Sequence, residues 1–224
     1  MTFLQSAPCH MDVVRREYPS LYERIRPLVE TGRWEPNGGM WVEPDCNVPS
    51  GESLVRQFLI GQQITREMFG YTADTPWMPD VFGYSAAMPQ IMRRAGVEFF
   101  VTQKMCWSAH NKHPYHTFVW QGIDGSEVLA HFPPENSYNS ALHPQSLRGA
   151  EHRYNERCTV DEFLVLFGIG DGGGGALRTR RSWRRPAPPA SGSWPTGRPR
   201  RASCRDGNAG ASFGKGPRTP AWSR

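Results

Sequence analysis

Apolar residues all but stop at a glycine run. Beyond Gly172-Gly173-Gly174-Gly175, Leu177 and Phe213 are the only Leu, Ile, Val, Met or Phe in the chain. A segment of that kind cannot bury enough apolar surface to offset its chain entropy. Any packed core must therefore come from residues 1–175, and residues 176–224 are expected to be a disordered tail. The same boundary divides the charge. The tail holds eleven Arg and one Lys against a single acid, Asp206, whereas the body holds 14 basic and 20 acidic groups. A nucleic-acid reading would rest on the tail alone, where scattered Arg, Gly and Trp suit phosphates and stacked bases. Arg, Pro, Ala, Gly and Ser are also what a GC-rich gene yields out of frame, so a frameshifted tail is the preferred expectation over a nucleic-acid partner.

Within the body, strand and helix signals alternate. Phe3 to Ser6 reads as a strand end. Asp12 to Tyr18 and Ser20 to Glu30 read as helical pieces, with Leu21, Ile25, Leu28 and Val29 on one face and Gly32 as the stop. Gly38 to Glu43 predicts a short buried strand. Pro49-Ser50-Gly51-Glu52-Ser53 opens the longest helix, which carries Leu54, Val55, Phe58, Leu59 and Ile64 and ends near Gly70. A shorter helix is expected from Ser85 to Gly96. Val97 to Thr102 is a strand, and Thr117 to Gln121 with Glu127 to Phe132 flank Asp124-Gly125 as a hairpin. Phe163 to Gly168 is an unbroken apolar run, expected to be a strand buried on both faces. This alternation predicts an α/β domain with mainly parallel strands. No apolar run is long enough to span a bilayer. Five cysteines without a CxxC pair suggest reduced thiols and a cytoplasmic protein.

Trp77-Met78-Pro79-Asp80-Val81-Phe82-Gly83-Tyr84-Ser85 is the stretch with the clearest chemical content. Asp80 stands among aromatics just before a helix start, where α/β folds place catalytic groups. Aromatic rings there would stack on the C–H faces of a sugar. Taken alone, the residue is better read as an ordinary loop cap. Asp171, in Gly170-Asp171-Gly172-Gly173, follows the apolar run 163–168. Two carboxylates converging on one pocket would suit glycoside hydrolysis, one as nucleophile and the other as general acid/base. Glu43 and Asp45 end another expected strand and would reach sugar hydroxyls or serve a surface turn. His110, His113 and His116 recur every three residues, but Pro114 breaks a helical face and favours loop and packing roles over metal binding. His131 reads as a satisfied core histidine.

These stretches together resemble glycoside hydrolase family 38, the α-mannosidases, and its cytoplasmic-type branch in particular. The resemblance is carried by Gly38 to Glu43, Pro49 to Leu59, Pro79 to Ser85 and Pro89 to Met92. It continues through Thr102-Gln103-Lys104, Asp124-Gly125-Ser126, His131-Phe132-Pro133-Pro134 and Phe167 to Gly175. Order and spacing agree from about Phe3 to Gly175 and stop where the composition changes. The resemblance implies part of an α/β barrel, an α-mannoside substrate, hydrolysis with retention and a zinc ion. It makes Asp80 the nucleophile and a zinc ligand, and Asp171 the general acid/base. Trp41, Glu43, Gln103, Lys104 and Tyr138 become the substrate-binding residues.

The family's zinc site also uses a His-x-Asp pair near its N-terminus and a later histidine. Neither matches a position here. The expectation is therefore an incomplete barrel, residues 1–175, whose zinc site lacks ligands and whose catalysis is lost in this chain. Another metal-dependent carbohydrate enzyme, of the polysaccharide deacetylase kind, is the alternative within enzymes. The Asp171 loop argues against it.

Overall fold

The computed structural model describes residues 2–160 and 162–169; the expected acid/base Asp171 and the tail 176–224 lie outside the described residues. In chain order the elements are β1 (Phe3–Gln5), α1 (Pro8–Glu17), α2 (Pro19–Glu30), β2 (Trp34–Pro36), α3 (Gly51–Phe69), α4 (Met88–Arg94), β3 (Phe99–Val101), a 3-10 turn (Lys104–Trp107), β4 (Thr117–Gln121), β5 (Glu127–His131) and α5 (Pro144–Arg153). They build two small sheets. β1 and β2 pair in parallel, Phe3 opposite Trp34. In the second sheet β5 lies between β3, which is parallel to it, and β4, which is antiparallel. An isolated parallel bridge from Trp77 to Val101 adds the Asp80 segment beside β3. No helix among the described residues is long and apolar enough to cross a membrane.

The longest helix, α3, begins and ends where its sequence directs. The Ser50 hydroxyl accepts the Ser53 amide at 3.3 Å, satisfying a first-turn N–H that has no helical partner. Gly70 takes φ of +77° and returns its amide to the Arg66 carbonyl, the left-handed end that glycine adopts without strain. Leu54, Phe58, Gly61, Thr65 and Met68 form the inward stripe. Gly61 cannot be larger: a Cβ there would stand 2.5 Å from the Gly39 carbonyl oxygen. At the helix end, Gln62 donates to the Ala73 carbonyl (2.7 Å) and accepts its amide (2.9 Å), fixing the loop that leads toward Asp80.

Two apolar clusters flank α3. Met40, Leu54, Phe58, Met78, Val81, Met88, Met92, Val97, Phe100, Val128 and Phe132 pack between α3, α4 and the second sheet. Met11, Tyr22, Ile25 and Met68, with Val14, Val29, Ile64 and Phe69 against them, close α1 and α2 onto the end of α3.

Several expectations need correction. Gly38 to Glu43 is not a strand. The amides of Trp41 and Val42 are taken by the Gln57 carbonyl and side chain, so the segment runs along α3, and the strand lies earlier, at Trp34–Pro36. Phe163 to Gly168 is not a strand buried on both faces. Its side chains are half-buried, and its polar contacts go to His131 and, through one bridge, to Ser140. Cys9, Cys46 and Cys106 are free thiols. The helix expected from Ser85 starts later, at Met88. The Ser85 hydroxyl and carbonyl close the preceding turn by accepting the amides of Ala87 and Met88.

Candidate active site

The turn bearing Asp80 is pinned to the end of β3. Gln103 donates its amide to the Pro79 carbonyl at 3.2 Å. Tyr84, half-buried against Phe100 and Trp120, donates its hydroxyl to the Met78 carbonyl (2.8 Å) and lies 2.6 Å from the Thr102 hydroxyl. Burial pushes the Tyr84 phenol well above its ordinary range, so it remains a neutral donor. Gly83 adopts φ of +136°, and a Cβ there would meet the Asn47 side chain at 2.5 Å. That side chain in turn holds the Phe82 carbonyl at 3.0 Å. Asp45 is occupied by the same turn: its carboxylate accepts the amides of Asn47 and Val48, which hold it below the usual carboxylate range.

Asp80 forms an ion pair with Lys104 from the 3-10 turn. The lysine side chain is only 8% exposed, while that of Asp80 retains 36%. Asp80 Oδ1 is the buried oxygen. Lys104 Nζ stands 4.3 Å from the Phe82 ring centre, 4.1 Å from Trp107 and 5.6 Å from Tyr138. Aromatic faces replace part of the hydration that a buried ammonium loses. Phe82 and Trp107 are themselves 73% and 63% exposed. The outcome is a carboxylate backed by a cation and edged by accessible rings, which suits a polyhydroxylated ring with apolar faces.

The other expected site residues are placed unequally. Tyr138 joins the group around Lys104. Glu43 lies close enough for the Asp80 charge to act on it. Partial desolvation raises its carboxyl above the ordinary range, Asp80 adds to the rise, and a hydrogen bond with Ser6 opposes it. Trp41 is half-buried and its backbone links Cys9 to Gln57. Gln103 is 1% exposed, with its amide nitrogen turned to Cys106 Sγ at 3.0 Å. Trp107 was not among the expected residues; the aromatic spacing Lys104 to Trp107 was the available signal.

His113, His116 and His131 have structural roles. His113 packs its ring on Phe118 and Phe132. The His116 amide is capped by Glu156 at 3.1 Å. Buried His131 accepts the Leu164 amide on Nε2 at 3.2 Å, which places its proton on Nδ1, 2.8 Å from the Thr117 hydroxyl. Thr117 continues to the Tyr154 hydroxyl at 2.8 Å. Burial pulls the His131 imidazole down to about 4.

Zinc does not fit the described residues. The buried oxygen of Asp80 faces an ammonium instead of a second donor group, and no three His, Cys, Asp or Glu among the described residues converge as a metal site.

Residues 1–185 match the family described as Glycosyl hydrolases family 38, N-terminal domain. The chain belongs to that family. It is 47% identical over 175 residues to Alpha-mannosidase G of Dictyostelium discoideum, covering 77% of this chain and 16% of that protein. It is 44% identical over 177 residues to human Alpha-mannosidase 2C1, covering 79% of this chain and 17% of that protein. The chain thus spans about a sixth of the length of these relatives. A crystal structure of an alpha-mannosidase from Enterococcus faecalis V583 superposes with a TM-score of 0.60 at 20% identity, covering 75% of this chain and 20% of that one. That likeness shows the fold alone. Family 38 membership accords with the helices and small sheets seen here.

Proposed function

We propose that this chain carries the nucleophile and its setting from a retaining α-mannosidase, and that the substrate is a terminal α-mannoside. The observation that supports the reading is the Asp80–Lys104 ion pair beneath the exposed rings of Phe82 and Trp107. Asp80 keeps its exposure although Oδ1 is buried, so Oδ2 is the oxygen left open to substrate. Lys104 holds the carboxylate in one orientation, and the rings of Phe82 and Trp107 meet the sugar.

In the first step Asp80 Oδ2 attacks the anomeric carbon. The bond to the leaving oxygen breaks as Asp171 protonates that oxygen, and a mannosyl ester of Asp80 forms. In the second step Asp171 takes a proton from water while the water oxygen bonds to the anomeric carbon. The ester then cleaves, restoring the Asp80 carboxylate and protonated Asp171. Two inversions give net retention. Residues 1–224 alone are proposed to be inactive, because the described residues do not supply the metal donors that the family resemblance implies.

The test is a chimera of Alpha-mannosidase G in which residues 1–175 of this chain replace the matched region. Hydrolysis of an aryl α-mannoside, followed by NMR, should release the α-anomer first. Asp80→Asn should lower kcat/KM by roughly a thousandfold or more. A folded chimera whose activity survives Asp80→Asn removes the nucleophile assignment. Turnover of the same substrate by purified 1–224 removes the inactivity claim.

A further inference from the structure

Helix α3 is apolar on a second side. Next to the inward stripe, and sharing Phe58 with it as a floor, Val55 and Leu59 line a groove of about 600 Å³ together with Ala87, Ile91 and Ala95 of α4 and its flanks. Leu59 is 60% exposed. The C-terminal ends of the two helices come near each other, since Thr72 after α3 lies beside Gly96 after α4. Each wall begins apolar and ends in an arginine, Arg66 on α3 and Arg94 on α4. Neither arginine makes a salt bridge among the described residues, although Arg94 is near enough to Asp124 to act on its charge.

A helix surface facing solvent is ordinarily polar, and one with apolar residues on two sides is packed on both. We propose that this groove receives an amphipathic helix carrying a carboxylate at the end that lies beside Arg66 and Arg94. Its source is the part of an α-mannosidase polypeptide outside the sixth that this chain spans. Apolar residues at helical spacing would fill the floor, and the acid would neutralise the paired arginines. A second copy of this chain is the poorer occupant, because an isologous pairing sets this patch against itself and its lining carries no carboxylate to meet Arg66 and Arg94. The inference rests on family membership and not on the glycosidase chemistry.

The test reads solvent access instead of activity. Leu59→Cys is alkylated with N-ethylmaleimide under native conditions, in 1–224 and in the chimera described above, with peptide-level mass spectrometry to separate it from the native thiols. Glu23→Cys, on exposed α2, is the reference. Labelling at position 59 should be fast in 1–224 and at least tenfold slower in the chimera. The double variant Arg66→Glu/Arg94→Glu should recover most of that tenfold. Equal rates in the two proteins overturn the proposal. So does protection that the charge reversal leaves unchanged, or protection in 1–224 alone that grows with its concentration, which would mark a second copy. Circular dichroism of each variant of 1–224 verifies that the fold is retained.

Discussion

Acid should weaken this fold through one buried imidazole. His131 is neutral in the folded chain because its Nε2 accepts the Leu164 amide and because charging it would cost desolvation. Burial brings it from 6.5 to about 4. A base held below its usual value adds stability that is complete above pH 6.5. As pH falls from 6.5 to about 4, the unfolded chain takes up the proton first and the stability is lost. At about 1.4 kcal/mol per pH unit, the loss by pH 4 is on the order of 3 kcal/mol, a substantial part of the roughly 5–15 kcal/mol typical of a domain. The assay is urea unfolding of 1–224 at several pH values between 7 and 4, beside His131→Gln. Glutamine can still accept the Leu164 amide and donate to Thr117, but it does not titrate. The variant removes only this group, so other ionisations, including the carboxyls of Glu35 and Glu43 that are raised by partial burial, cancel in the difference. The wild-type curve should fall by about 3 kcal/mol more than the variant's across that window. Parallel curves for the two proteins would refute the reasoning.

Further predictions concern α3 and the Asp80 site. Gly61→Ala should destabilise by roughly 1–3 kcal/mol in thermal unfolding, because its methyl group would meet the Gly39 carbonyl. Ser50→Ala should cost about 1 kcal/mol by loss of the N-cap, and Ser50→Asp should restore most of it. In the chimera, Lys104→Met should lower kcat/KM on the order of a hundredfold by removing the cation behind the carboxylate. An unchanged kcat/KM would show that Lys104 only fills space.

Local chemistry was legible in the sequence. Ser50 and Gly70 bound α3 as their types direct. The hairpin closes at Asp124-Gly125 because the aspartate accepts the Ser126 amide and Gly125 takes φ of +83°. His131 was recognisable as a core residue. What escaped were features decided by distant partners. Trp34–Pro36 becomes a strand only because β1 lies beside it, and three residues carry too little periodicity to show that. Gly38 to Glu43 has the composition of a strand, but Gln57 takes its amides first. The run 163–168 has the composition of a core strand, but among the described residues it has a single bridge, to Ser140, and no ladder. The aromatic surroundings of Asp80 were legible in its own stretch. Its pairing with Lys104 spans 24 positions and follows from the docking of one turn against the end of β3.

The position of α3 between two apolar clusters also bears on how the chain comes apart. Leu54 and Phe58 belong to one cluster and Met68 to the other, with Ile64 and Phe69 packed against the second, all on one continuous rod. Neither cluster can dissolve without loosening a helix that the other needs, so the two should melt in a single cooperative transition. A helix-breaking residue at Gln63, between the two sets and on the exposed side, would uncouple them. The region of α1 and α2 would then exchange its amides well before the sheet that carries Asp80.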